Sequence, residues 1–99
     1  MNKIFNSEET KELVDAFLCL KTKEEIESFF EDIFTINEIK SFGQRLKVAK
    51  MLTDKVSYID IVEKTGISSA TISRVNRALQ YGADGYNLVL KRLSENEKD

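Results

Sequence analysis

Ser68, Ser69, Ala70, Thr71, Ser73, Arg74 and Arg77 fall within the ten residues SSATISRVNR. Hydroxyls bond either donors or acceptors on a base edge, and alanine and the threonine methyl meet the methyl group of thymine. An arginine pairs with guanine or grips a phosphate, which makes Arg74 a candidate for either contact. Arg77 and Lys64 are placed as phosphate clamps, which position a protein on a duplex without reading sequence.

The element that would carry these groups is Ser57–Leu79, SYIDIVEKTGISSATISRVNRAL. It reads as a short helix, a tight turn at Gly66 and a second helix capped by Ser68 or Ser69. Ile61 and Val62 are expected on the inner face of the first helix. Ile67 is expected to plug the turn, with Ile72, Val75 and Leu79 inside the second helix. This is the pattern of a helix-turn-helix, whose second helix enters the major groove N-terminus first. The plainer reading is a helical hairpin with a hydroxyl-rich outer face. Serine and threonine are indifferent helix formers, so solvation alone explains SATISR poorly.

Catalytic and metal chemistries lack their groups. The chain has no histidine and one cysteine. The commonest general base is therefore absent, and a Cys/His zinc site has no ligand set. Carboxylates and lysines form no recognisable nucleophile–base pair, so no enzyme is expected. Cys19, within AFLCL, is expected to be buried as a small hydrophobe. No apolar run approaches the length of a membrane span, roughly 20 residues. The start MNKIFNSEET has no signal-peptide core. The expectation is a cytoplasmic protein with no membrane partner.

The net charge of −2 is unevenly distributed. Residues 1–34 hold four Lys/Arg against nine Asp/Glu, and residues 35–92 hold ten against five. The positive block contains the helix-turn-helix. Docking on DNA needs local positive potential rather than a high overall pI.

The whole chain of 99 residues reads as one all-α domain of six helices. Capping-box spacings recur at Asn6/Glu9, Thr22/Glu25, Thr35/Glu38 and Ser57/Asp60. They predict helices at Ser7–Leu20, Lys23–Phe34, Ile36–Asp54, the two of residues 57–80, and a last one over 85–93 with a frayed tail at 94–99. Gly82 is expected to be a left-handed C-terminal cap. Gly43, inside the third helix, is either a point of close helix approach or simply tolerated. The third helix carries too broad an apolar set, Ile36 to Leu52, for one face. Phe5, Phe17, Phe29, Phe30 and Phe34 are too many rings for one small protomer to hide. A second protomer covering residues 7–54 is expected, with a compact monomeric six-helix bundle as the alternative.

Two stretches, FTINEIKSFGQRLKVAKML and SYIDIVEKTGISSATISR, carry a further signal. Their T-x-x-E start, Gly43-Gln44-Arg45 and Ala70–Arg74 resemble the bacterial Trp repressors, in particular the YerC/YecD-type Trp repressor-related proteins. The likeness runs from Phe34 to Arg77. It implies an intertwined homodimer with two reading heads that face successive major grooves. It also implies an effector cleft, in which Arg45 and Arg74 match the arginines that sandwich an indole and Thr35 lies near the ligand's amino end. The family has a glycine after the second arginine, where this chain has Val75, whose branches occupy indole space. Val75 therefore argues against tryptophan and leaves a small-molecule corepressor of other identity. Ile59 and Val62 stand where the family has basic residues. The plain reading of Arg45 is a helix-surface charge.

The function expected is a sequence-specific DNA-binding transcription regulator, acting as a repressor on double-stranded DNA as a homodimer. The alternative is a protein-interaction module on the same scaffold that does not bind DNA.

Overall fold

The computed structural model describes residues 3–97. Its described residues form helices and no strand, in the order of a short 3-10 turn (Lys3–Asn6) and six α-helices. These are α1 (Glu8–Leu18), α2 (Lys23–Ile33), α3 (Ile36–Thr53), α4 (Tyr58–Thr65), α5 (Ser69–Tyr81) and α6 (Gly85–Glu97). No helix among the described residues is long and apolar enough to cross a membrane. The chain divides into two units, Met1–Ile39 and Lys40–Asp99.

In the first unit, local polar bonds set the helix starts. Ser7, not Asn6, caps α1, accepting from the Thr10 amide at 3.2 Å and donating to Thr10 Oγ1 at 2.8 Å. Asn6 is taken up by the preceding 3-10 turn. Thr22 caps α2 through the Glu25 amide, while Glu25 reaches back to the Lys21 amide rather than to Thr22. Thr35 and Glu38 close a full reciprocal box at the start of α3, with bonds of 2.9 and 3.1 Å.

The helix α1 stops at Leu18, short of the expected Leu20. Its last turn tightens into bonds from the Cys19 amide to Ala16 O and from the Leu20 amide to Phe17 O, each 3.2 Å. Cys19 is exposed rather than buried, because nothing in this unit covers that turn. Phe17 of α1 meets Phe29 of α2 edge-on at 5.6 Å, and Phe30 of α2 meets Phe34 at that helix's C-cap at 5.3 Å. These rings share one another's edges without making a core. No described residue of the first unit is buried.

The second unit holds the core, formed by Val48 and Ala49 of α3, Ile61 of α4, Ile67 of the turn, and Ile72 and Val75 of α5. Met51, Leu52, Val56, Leu79, Tyr86 and Leu90 pack against it. The apolar set of α3 is divided. Val48 and Ala49 are sealed, while Ile36 is 73% and Phe42 43% exposed. At Gly43 an added methyl would meet nothing within 4 Å, so no close approach occurs there within the protomer.

The chain leaves α3 through Lys55, whose φ of 68° is left-handed. The Val56 amide bonds Met51 O and the Lys55 amide bonds Leu52 O, both at 3.0 Å. That bond pair is a Schellman motif, and it draws Val56 onto the core. Gly82 does not take the left-handed cap expected of it, having φ −85° and ψ −156°. Its need is for space, since a Cβ there would collide with the Ala78 carbonyl. Asp84 supplies the left-handed turn instead, with φ 65°.

The last helix continues to Glu97, past the expected end at Leu93, so residues 94–97 are wound rather than frayed. Lys98 and Asp99, the rest of that tail, lie outside the described residues. The expectation failed because apolar spacing marks where a helix is buried, not where its backbone bonding stops.

Candidate nucleic-acid interface

The two helices of the helix-turn-helix, α4 and α5, are joined by side-chain bonds at the turn. Ser57 caps α4 by accepting from the Asp60 amide at 3.2 Å. At the other end, Thr65 donates to Ile61 O at 2.6 Å and accepts from the Ile67 amide at 3.0 Å. Gly66 sits between with φ 73°, a left-handed conformation that costs an L side chain about 1–2 kcal/mol. The turn thereby delivers Ile67 inward at 7% exposure. Thr65 was missed in the sequence. Its position one residue before the turn glycine is the signal that finds it, because a hydroxyl there can serve both sides of the turn.

Ser68, not Ser69, then caps α5, accepting from the Thr71 amide at 3.2 Å. Ile72 and Val75 are sealed at 0% and 2% exposure. On the opposite side Ser69, Ser73 and Arg77 follow one another at four-residue steps, with Ala70 and Arg74 beside them, all exposed. Ser68 is exposed but occupied by its cap, and Thr71 is half-buried. Lys64 is exposed near the end of α4.

Val62 corrects the sequence reading. It is 37% exposed, so Ile61 alone carries the inner face of α4. Tyr58 at 37% and Ile59 at 72% are exposed with it. Of the eight residues of α4, Ile61 is the one that is buried.

Arg45, Arg74 and Val75 come together at one cleft of about 230 Å³, between α3, α5 and the start of α6. Ser41, Gln44, Thr71 and Tyr86 also line it. Among the described residues the ion pair that forms is Lys50–Glu97, so neither cleft arginine has a carboxylate partner. The Arg45 guanidinium lies 5.6 Å from the centre of the Phe42 ring, three residues back on its own helix. Thr35 belongs to the first unit, where its hydroxyl and amide are both committed to Glu38. Tyr86 was not found from the sequence, since nothing local ties the first turn of α6 to α3.

Three kinds of likeness place the chain. The sequence model of the family "Trp repressor protein" matches residues 8–94. YerC of Bacillus subtilis (strain 168) is 48% identical over 91 residues, which is 92% of this chain and 88% of YerC. A Trp operon repressor homolog of Chlamydia trachomatis serovar L2 is 37% identical over 76 residues, covering 70% of this chain and 78% of its own. Among solved structures, a TrpR-like protein from Eubacterium eligens ATCC 27750 superposes with a TM-score of 0.88 at 53% identity, over 94% of this chain and 96% of that one. A candidate Trp repressor from Staphylococcus aureus gives 0.85 at 44% identity, over 95% of each chain. The chain therefore belongs to the Trp repressor family, a family of transcription regulators and not of enzymes.

Proposed function

We propose that this protein is a sequence-specific DNA-binding transcription regulator, a repressor in the cytoplasm, that docks α5 in the major groove as an intertwined homodimer. The observation that carries the reading is the two-sidedness of α5. Ile72 and Val75 are sealed in the core, while Ser69, Ala70, Ser73, Arg74 and Arg77 stand exposed behind a capped N-terminus. That face offers hydroxyls and a methyl for base edges and cations for phosphate. Lys64 and Arg77 act as the phosphate clamps.

The second copy is supported by what the first unit leaves uncovered. Leu13, Val14, Phe17, Leu18, Ile26 and Ile33 are between 39% and 77% exposed. An apolar surface on this scale calls for a partner. Residues 7–54 form the dimerisation part and residues 57–80 the reading head. Two-fold pairing would place the heads about 34 Å apart, the half-site spacing of helix-turn-helix dimers, Trp repressor itself among them.

The test is selection of bound duplexes from a random pool, followed by a mobility-shift series in salt. A palindromic site with steep salt dependence is expected. Absence of binding to any duplex at low salt would leave the protein-interaction reading in its place.

A further inference from the structure

The family resemblance implies tryptophan between Arg45 and Arg74, and the residues present do not fit it. The cleft has a volume of about 230 Å³. Pockets that bury most of a drug-sized ligand run from roughly 300 Å³ upward. Its floor is the core itself, because Val75 is 2% exposed and continuous with Val48, Ile61 and Ile72. Tyr86 enters from α6 and packs on the same core. Arg45 already has one aromatic partner in Phe42, at 5.6 Å, a contact of the kind a ligand ring would offer a guanidinium. The chain's own side chains thus take one guanidinium plane, that of Arg45, and the ground beside α5 where Val75 and Tyr86 stand.

We infer that Val75 and Tyr86 hold α5 in its docking position in place of a corepressor, so that this protein binds its operator without tryptophan. The inference rests on the DNA-binding reading above. It makes occupancy of the operator depend on the concentration of the protein and not on the level of an aromatic amino acid. A ligand has no effect on an equilibrium between two arrangements unless it binds one of them better.

Two measurements on the full chain decide it. Isothermal titration with L-tryptophan is expected to show no micromolar binding. Mobility shifts on the selected duplex, with and without about 1 mM L-tryptophan, are expected to agree within about twofold. Micromolar binding, or an increase in DNA affinity of about tenfold or more, overturns the inference. A chain that binds duplex only when tryptophan is present sinks this inference alone. A chain that binds no duplex under either condition sinks the DNA-binding reading and this inference with it.

A variant supplies the converse. Val75→Gly opens the slot, and it is expected to bind the duplex several-fold more weakly and to recover on addition of L-tryptophan or indole. If the folded variant binds DNA as tightly as the parent, Val75 is not holding α5 and the inference fails. If Val75→Gly does not fold, the two wild-type measurements still decide.

Discussion

The Ser68 hydroxyl donates to Thr71 Oγ1 at 3.1 Å while accepting from the Thr71 amide at 3.2 Å. One residue pair thus fixes both the first turn of α5 and the orientation of its threonine. Ser68→Ala removes the cap and is expected to lower stability by about 1 kcal/mol in thermal or urea melts. It should also weaken DNA binding, because in the proposed docking the first turn of α5 meets the groove first. Unchanged DNA affinity in a measurably destabilised Ser68→Ala would detach the cap from docking.

Thr71 and Arg77 are expected to fail in different ways. Arg77 is exposed on the third turn of α5, and the proposed docking gives it a phosphate contact. Arg77→Ala should weaken every duplex alike and reduce the log–log salt slope by about 0.9, the loss of one phosphate contact. Thr71→Ala removes a hydroxyl and a methyl at the tip, so it should change the ranking of sequences. Mobility shifts over a panel of single-base variants, at several salt concentrations, separate the two. The reverse pattern would exchange their roles.

Leu18 tests the dimer. It is 77% exposed in the last turn of α1, a turn with no basic residue. In a monomer Leu18→Lys should be neutral within about 0.5 kcal/mol, since it touches no special feature and adds a cation at a helix C-terminus. In a dimer that buries the position, the same change should shift sedimentation from dimer to monomer at micromolar protein. Equal sedimentation of the two proteins would place Leu18 outside the interface.

Lys55 is a non-glycine residue with φ 68°. Lys55→Gly relieves left-handed strain and is expected to stabilise the fold by about 1 kcal/mol. Chemical denaturation gives the sign directly. A destabilised variant would mean that the Lys55 side chain contributes more than its backbone conformation costs.

Much of this protein follows from its sequence because its elements are locally specified. Thr22, Thr35 and Ser57 cap the helices their spacing announces. A short polar side chain reaches an amide three residues on without help from the rest of the fold. Gly66 marks its turn because one left-handed residue ends α4. Ile61, Ile67, Ile72 and Val75 are sealed as their periodicity predicts.

The tertiary structure decided what depends on partners distant in the chain. Val62 stays 37% exposed while Ile61 is sealed, and periodicity alone does not fix how wide a strip of α4 is covered. Gly82 is required by the Ala78 carbonyl it passes, not by the sign of its φ. Arg45 on Phe42 lies within the reach of local reasoning, being a three-residue pair on one helix. Tyr86 in one cleft with Arg45 and Arg74 does not, because only the packing of α6 on the core brings it there. Hydrogen bonds and helical period act over a few residues and can be read in order. The shape of a cleft is set where separate helices cross, and their crossing depends on how all the buried side chains fill space together.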